Sequence, residues 1–549
     1  MKLVQYLTCI ITLYYDNMRL EILIQGKVWI MNMTERQKCL VLLSKNVFTA
    51  AGQAPFDGFV AVEGNKIAAV GPRAQADEWV NKATQVLELG DRVITPGFVD
   101  VHTFFTGWAL LSLGADFSNV KTDVQGVAAL KEYEKTAPAG TALFGHNWQP
   151  DTFEVTDEAL LDNTWPDKPV VVFTADRGNC WMNQAAKTRY GFGPEKCYAE
   201  MTWKMIREYL QLPGMKEKYK EYMQMLNERG VTTIKEMTFD TYYGFAGKME
   251  ELEKEDALTV RVSMMSQPVG EGINIEHGKA MQKRFTGPFV SFSGYNRMTD
   301  RSIPSSMAEL IEPYKSHPGM TNTVPVEWDL IEKETHLADE NGFRYSLHCQ
   351  GDGAIRHTVA LFDTCQKDEN GKLKNRHAIT DLEYSNPADL EKFGAMGGIT
   401  EVYAQIQSLD HKQDVLDMID TQLGGDRGKN YWNRRKMWDC GLTVTCGTDL
   451  PLLLPNIPEA IYCGVGGHFA DGGTYNEQNM LTVPEMLTAW TKNGQYNCYN
   501  EDRLGTLEAG KLADIAVLDG DVFTMPNEQV KDVKVALTIS DGRIVYSAL

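Results

Sequence analysis

Several features that would mark a specialised protein class are missing from this 549-residue chain. Its ten cysteines include no CxxC spacing, and a chain of this length does not need a disulfide framework. We therefore expect reduced thiols in the core. There is also no tandem repeat of fixed period and no low-complexity tract, which excludes solenoid and repeat architectures.

A basic stripe is absent as well. The formal net charge is −20, so the chain repels phosphate backbones, and no cluster of Lys and Arg offsets that repulsion. Nucleic-acid binding is therefore not predicted. The composition is otherwise that of a globular protein, with 43% hydrophobic and 23% charged residues, which argues against extensive disorder.

No membrane segment is predicted. The first fifteen residues, MKLVQYLTCIITLYY, contain an apolar run that is too short to span a bilayer comfortably, and no small-residue cleavage site follows it. Met31 and Met33 lie just before the first well-patterned strand. We interpret residues 1–33 as an extension or a misplaced start and predict a cytoplasmic protein, with a secreted form as the alternative.

The middle of the chain alternates apolar strands with amphipathic helices, as in VTTIKEM and FRYSLHC. Repeated βα units of this number favour a closed parallel barrel. Both ends are rich in short strands and turns, including a hairpin at Gly64–Asn65 and another at Asp541–Gly542. The sequence predicts an α/β fold, a (β/α)8 TIM barrel (98–499) plus a small β-sandwich built from both termini (34–97 and 500–549).

Two segments resemble a known family. VITPGFVDVHTFF places Pro-Gly and then Asp-x-His after a strand, and RLGTLEAGKLADIAVLD lies near the C-terminus. Together they resemble the opening and closing motifs of the metal-dependent amidohydrolases, closest to the family 3 branch that includes N-substituted formamide deformylase-like proteins. The resemblance runs from about Leu40 to the end of the chain. It implies hydrolysis of C–N bonds at one or two metal ions.

The resemblance also implies a ligand set, from which this chain departs. His102 matches the first histidine of the usual His-x-His, but Phe104 replaces the second and cannot coordinate a metal. Lys235 matches a position that is often a carboxylated lysine, and pairing with Glu236 or another carboxylate is the alternative. His348 matches a strand-end ligand. Asp381 stands where the family has another ligating histidine, so it either replaces that ligand or marks a lost site.

Asp449, in GLTVTCGTDLPL, matches the aspartate that takes a proton from metal-bound water and passes it to the leaving amine. It is the predicted catalytic residue and also a predicted metal ligand. Three residues are predicted to bind substrate: His146, Asp176 and Trp181. Gly178 stands where related chains often have a histidine near the substrate.

The predicted function is thus a metal-dependent hydrolase of an amide, cyclic amide or related C–N bond. The expected cofactor is a divalent metal, Zn with Mn or Fe as alternatives, together with a carboxylated Lys235. The expected partner is a small-molecule substrate, with a homodimer left open. Two other functions remain open: non-hydrolytic chemistry such as decarboxylation or isomerisation with one metal or none, and non-catalytic binding of a small ligand.

Overall fold

The computed structural model describes residues 19–24, 27–32, 36–110, 112–151, 155–157, 159–175, 178–197, 205–238, 245–268 and 272–549. Residues 1–18 of the predicted extension lie outside this set. From the rest of the extension, the structure describes an antiparallel hairpin in which Arg19–Ile24 pairs with Lys27–Asn32. None of the helices in the described part of the chain is both long and apolar enough to cross a bilayer.

The strands are, in chain order, β1 (Arg19–Ile24), β2 (Lys27–Asn32), β3 (Gln37–Val47), β4 (Phe56–Gly64), β5 (Lys66–Pro72), β6 (Gln85–Glu88), β7 (Val93–Pro96), β8 (Phe98–Thr103), β9 (Ala115–Asp116), β10 (Leu143–Trp148), β11 (Val170–Thr174), β12 (Cys180–Met182), β13 (Val231–Thr238), β14 (Arg261–Ser266), β15 (Val290–Met298), β16 (Tyr345–His348), β17 (Ala378–Thr380), β18 (Ile399–Val402), β19 (Thr443–Cys446), β20 (Ile515–Leu518), β21 (Val535–Ser540) and β22 (Arg543–Ser547).

The α-helices are α1 (Asp77–Lys82), α2 (Phe105–Leu110), α3 (Asp123–Glu134), α4 (Leu160–Thr164), α5 (Gln184–Tyr190), α6 (Ile206–Tyr209), α7 (Met215–Asn227), α8 (Phe245–Lys254), α9 (Ile275–Arg284), α10 (Trp328–Glu340), α11 (Asp352–Asp363), α12 (Pro387–Ala395), α13 (Lys412–Gln422), α14 (Arg434–Asp439), α15 (Ile457–Gly466), α16 (Val483–Thr488), α17 (Gly494–Asn497) and α18 (Asn527–Val530).

An eight-stranded sheet forms the barrel, with strand order β8, β13, β14, β15, β16, β17, β18 and β19. Neighbouring strands are parallel, and the ring closes where Thr103 bridges to Leu450. Residues of β13 are buried along the whole strand, as expected for a parallel strand covered on both faces. The predicted α/β barrel is confirmed.

The N-terminal and C-terminal strands share a second sheet. β20 runs antiparallel to β7, with Ile515 opposite Pro96, and β21 and β22 extend the same sheet. Neither terminal segment has enough apolar surface to form a core alone, which is why they combine. The strands form one hydrogen-bonded mixed sheet, so the two-sheet sandwich and the domain boundaries proposed above remain predictions.

A smaller four-stranded sheet, β9 to β12, is inserted between the first and second barrel strands. β9, β10 and β11 are parallel, and β12 is antiparallel to β11. The sheet packs with α3 around its own apolar cluster, which includes Phe117, Leu130 and Leu143.

A buried ion cluster joins the barrel to the terminal sheet. Arg261, the first residue of β14, donates from Nε and Nη2 to the two carboxylate oxygens of Asp514, both at 2.9 Å. Its Nη2 also lies 3.2 Å from Asp541 Oδ1. Bidentate pairing of this kind fixes position as well as charge. The cluster therefore sets how the C-terminal strands attach to the barrel.

Replacing Asp514 by Ala should lower the free energy of unfolding by about 3–5 kcal/mol, because Arg261 would stay buried with only Asp541 to pair with. Urea unfolding at neutral pH measures the loss. The matched control is Glu250→Ala, which breaks the partly exposed pair between Glu250 and Arg284 and should cost less than about 1 kcal/mol. Equal losses in the two variants would contradict the structural role given to Asp514.

Candidate active site

The carboxyl ends of the barrel strands bring together most of the residues singled out by the sequence motifs. His102 lies near the end of β8 and His348 is the last residue of β16. Asp381 follows β17, and Asp449 follows β19. Barrel enzymes build their active sites at this end of the strands.

Lys235 lies deeper, in the middle of β13, and is fully buried. Its ammonium group is ion-paired with Glu401 of β18, which is also fully buried. Asn497 joins the pair: its Oδ1 accepts from Lys235 Nζ at 3.3 Å, and its Nδ2 donates to Glu401 Oε1 at 3.0 Å. Burial alone would raise the pKa of Glu401, but Lys235 and His102 lower it to about 2. Glu401 is thus an anion held between two partners.

The structure pairs Lys235 with Glu401 rather than with its sequence neighbour Glu236. Glu236 instead accepts hydrogen bonds from Thr103 Oγ1 at 2.7 Å and from the backbone N–H groups of Phe105 and Thr106 at 2.8 and 3.0 Å. Burial raises the pKa of Glu236 to about 7, against these hydrogen bonds. Its contacts fix the start of the helix that follows β8.

His102 is held between two carboxylates. Its Nδ1 lies 3.2 Å from Glu401 Oε2, and its Nε2 lies 3.8 Å from Asp449 Oδ1. A proton on Nδ1 satisfies Glu401 and leaves the lone pair of Nε2 on the side of Asp449. Glu401 thereby orients the imidazole so that its Nε2 lies on the side of Asp449, at the mouth of the barrel.

Asp449 is placed by its backbone. Its N–H donates to the carbonyl oxygen of His102 at 3.0 Å, and its φ is +53°, in the left-handed region that aspartate tolerates better than most residues. Burial raises the pKa of Asp449 to about 6, and the neighbouring His102 and His348 oppose that rise. Asp381 acts on the same carboxylate, so the two histidines and two aspartates lie near one another.

His348 and Asp381 form the second half of the site. His348 Nε2 lies 2.8 Å from Asp381 Oδ2, and Gln350 Nε2 donates to the same oxygen at 2.7 Å. Asp300 Oδ1 lies 3.7 Å from His348 Nδ1. Burial would lower the pKa of His348, but Asp300 and Asp381 raise it to about 10. Asp381 is therefore an anion beside an imidazolium.

These residues suit a divalent cation by donor type. Asp381 Oδ1 and His348 Nδ1 are buried and have no hydrogen-bond partner. Two ligands on one zinc ion lie about 3.4 Å apart, from the usual bond lengths and tetrahedral geometry, and the spacing of His102 Nε2 and Asp449 Oδ1 is similar at 3.8 Å. In the described residues no three of these donors lie within 4.8 Å of one another, so the donor types suit one ion but the spacing matches it only pair by pair.

A pair of ions bridged by a carboxylated lysine fits less well. A carbamate on Lys235 would put its negative charge against Glu401, which the ammonium now neutralises. Phe104 adds no donor, and its ring centre lies 5.7 Å from that of His102.

Sequence reasoning missed Glu401 as a residue of the site, although the segment ITEVY shows an acidic residue inside an apolar strand.

Elsewhere in the described residues, one group of three donors has atoms within 4.8 Å of one another: Asp339, Cys365 and His377. His377 Nδ1 accepts from the N–H of Tyr345 at 3.0 Å, and His377 Nε2 donates to Asp339 Oδ1 at 3.0 Å. Both ring nitrogens are thus used by the fold. The group stabilises the junction of β16 and β17.

The predicted substrate residues belong to the inserted sheet. His146 lies in β10, where it pairs in register with Asp116 of β9. Trp181, in β12, is buried in the apolar cluster of that sheet. Asp176 lies outside the described residues. A substrate-binding role for these three residues remains a prediction.

A family model described as "Amidohydrolase family" matches residues 85–546. The chain belongs to the amidohydrolase family. The resemblance inferred from the terminal motifs is confirmed, and the chain is a hydrolase whose family implies a divalent metal.

Two curated relatives align with this amidohydrolase over most of their length. "Putative amidohydrolase YtcJ" of Bacillus subtilis (strain 168) is 24% identical over 506 residues, covering 86% of this chain and 92% of that protein. N-substituted formamide deformylase of Arthrobacter pascens is 21% identical over 550 residues, covering 92% of this chain and 98% of that protein.

The fold is also that of a solved structure. An uncharacterized metal-dependent hydrolase from Pyrococcus furiosus superposes with a TM-score of 0.70 at 18% identity, covering 88% of this chain and 100% of that one. At this level of identity the likeness supports the barrel fold.

The pair of Lys235 and Glu401 can be tested by a double-mutant cycle. Glu401→Leu should lower the free energy of unfolding by about 3–5 kcal/mol, because it leaves a buried ammonium without its partner. Adding Lys235→Met should recover part of that loss, since both charges are then gone. Chemical unfolding of the two single variants and the double variant gives the coupling. A double variant whose loss equals the sum of the single losses would show that the pair is not coupled.

Proposed function

We propose that this amidohydrolase hydrolyses a carbon–nitrogen bond in a small amide, cyclic amide or related substrate, with Asp449 as the general base. The observation that carries the proposal is the position of the Asp449 carboxylate, 3.8 Å from His102 Nε2 at the carboxyl end of the barrel. A carboxylate there can accept a proton from water and return it to the leaving nitrogen. The amidohydrolase relatives support this reaction type.

His102, His348, Asp381 and Asp449 are the residues that would hold a divalent ion, with zinc proposed and Mn or Fe as alternatives. Such an ion supplies Lewis-acid polarisation of a carbonyl group and lowers the pKa of water. Metal binding at His348 requires its neutral form, so the proton shared with Asp381 must leave. Lys235 then acts as an ammonium that keeps Glu401 in place behind His102.

Two observations favour a second candidate, non-hydrolytic chemistry or ligand binding on the same fold. Phe104 removes one family ligand, and the pair of Lys235 and Glu401 disfavours the carbamate that would supply another. Metal analysis of the purified protein separates the candidates. About one equivalent of Zn, Mn or Fe supports hydrolysis, and a metal-free protein that turns over no amide supports the alternative.

Asp449→Asn should reduce turnover by about 100-fold or more, because it removes the base while leaving most donors in place. The assay is a panel of N-substituted formamides and cyclic amides, with released amine as the readout and metal content measured on the same sample. Asp410→Asn, at an exposed position, is the matched control. Full activity in Asp449→Asn would remove Asp449 from the mechanism.

His348→Ala should lower bound metal and turnover together, because it removes the only nitrogen donor of its half of the site. Metal is measured by elemental analysis after dialysis against a weak chelator. The control is His336→Ala, which changes an exposed histidine on α10. Retention of a full metal equivalent in His348→Ala would place the ion elsewhere.

A further inference from the structure

A cavity of about 440 Å³ opens at the end of the barrel opposite the candidate active site. Part of its lining precedes or begins barrel strands: Val290 starts β15, Phe343 and Arg344 lead into β16, and Asn375 precedes β17. His102, His348 and Asp449 lie at the other ends of the strands. The cavity is therefore a separate space, of a size usual for small-molecule sites.

The charge of this cavity is opposite to that of the chain. Its lining contains Arg344, Lys374 and Arg503, and the described residues that line it include no Asp or Glu. The whole chain has 74 acidic and 54 basic residues. The carboxylates near Arg503 are already used, since Asp514 and Asp541 pair with Arg261. Asp514 and Asp541 act on Arg503 from outside the lining, and the described lining itself carries net positive charge.

Arg344 is the central feature, because it is only 1% exposed. Its Nε donates to the carbonyl oxygen of Arg376 at 2.9 Å, and its Nη1 donates to the Asn497 carbonyl oxygen and Oδ1 at 2.5 Å. These bonds fix the guanidinium in place. Its Nη2 has no hydrogen-bond partner, and none of the ion pairs found among the described residues includes Arg344. A buried cation without a counter-ion is costly, and a bound anion would offset that cost.

Aromatic side chains form part of the remaining wall, which otherwise consists mainly of small and polar residues. Phe285, Phe292 and Phe343 line the cavity, and the ring of Tyr499 lies 4.6 Å from the guanidinium carbon of Arg344. A ligand with an apolar body would bury that body against these rings. Lys374 and Arg503 are exposed at the rim, where they would attract an anion from solution.

We propose that this cavity is a binding site for a small organic anion, with an oxyanion group recognised by Arg344, Lys374 and Arg503 and an apolar body packed on the aromatic walls. The site is independent of the reaction assigned to the opposite end of the barrel. An aromatic carboxylate matches both the charge and the walls. Free phosphate shares the oxyanion chemistry but lacks the apolar body.

Calorimetric titration of the full-length protein tests the proposal, with sodium benzoate, sodium acetate and inorganic phosphate compared at constant ionic strength. Benzoate should bind saturably with a Kd of about 1 mM or below and more tightly than acetate or phosphate. Phosphate binding more tightly than benzoate would overturn the assignment to an organic anion. Absence of saturable binding for all three would overturn the site itself and leave a cavity filled by water.

Variants locate the site. Ser291→Glu places a carboxylate in the lining and should weaken benzoate binding by about tenfold or more, and Lys374→Gln with Arg503→Gln should weaken it by about 3–10-fold. Arg344→Met should abolish binding if it folds, and the other variants decide the question if it does not. Lys333→Gln, an exposed lysine outside the lining, is the matched control. Unchanged affinity in Ser291→Glu and in the Lys374 and Arg503 double variant would place the anion elsewhere and refute the proposal.

Discussion

The ion pair between Lys235 and Glu401 is the interaction on which the interior of the barrel depends. Two opposite charges are fully buried there, and neither would be tolerated without the other. Asn497 contacts both charges, and Arg344 approaches the same asparagine from the far end of the barrel. Because Glu401 also contacts His102, the pair determines where the first histidine of the candidate site lies.

The candidate site has two halves with the same local arrangement of residues. In each half a histidine lies beside an aspartate that follows a barrel strand: His102 beside Asp449, and His348 beside Asp381. Both aspartates have a positive φ, +53° and +55°, which turns the chain sharply at the end of the strand. The carboxylates are thereby directed toward the histidines on neighbouring strands. Two carboxylates and two imidazoles then form one polar patch at the mouth of the barrel, above the buried pair of Lys235 and Glu401.

The chain also shows how a family scaffold tolerates changes in its ligands. Where the usual motif would place a second histidine, Phe104 packs partly buried against the main core. Lys235 keeps its place in β13, but its charge is balanced by a side chain from a strand more than 160 residues away. Both changes remove potential ligands, so they favour fewer bound metal ions than a two-ion site holds.

Much of the fold and part of the candidate site could be predicted from local sequence patterns. Alternation of apolar strands with amphipathic helices indicates a barrel, and the resemblance to amidohydrolase motifs predicts roles for His102, His348 and Asp449 at the ends of its strands. Glu401 could not be assigned in the same way, because the local sequence ITEVY does not identify the cation with which its carboxylate pairs. The sequence likewise does not decide whether Lys235 pairs with Glu236 or with another carboxylate.

The sequence by itself determined the fold class, the family and the chemical types available at the barrel mouth, because periodicity and short motifs act over a few residues. Only the tertiary structure decided which charges pair, as with Arg261 and Asp514 or Lys235 and Glu401. Those partners are far apart in the chain and meet only when the barrel closes and the terminal strands join. The cationic cavity around Arg344 has the same origin, since its lining comes from the beginnings of several strands that no local pattern connects.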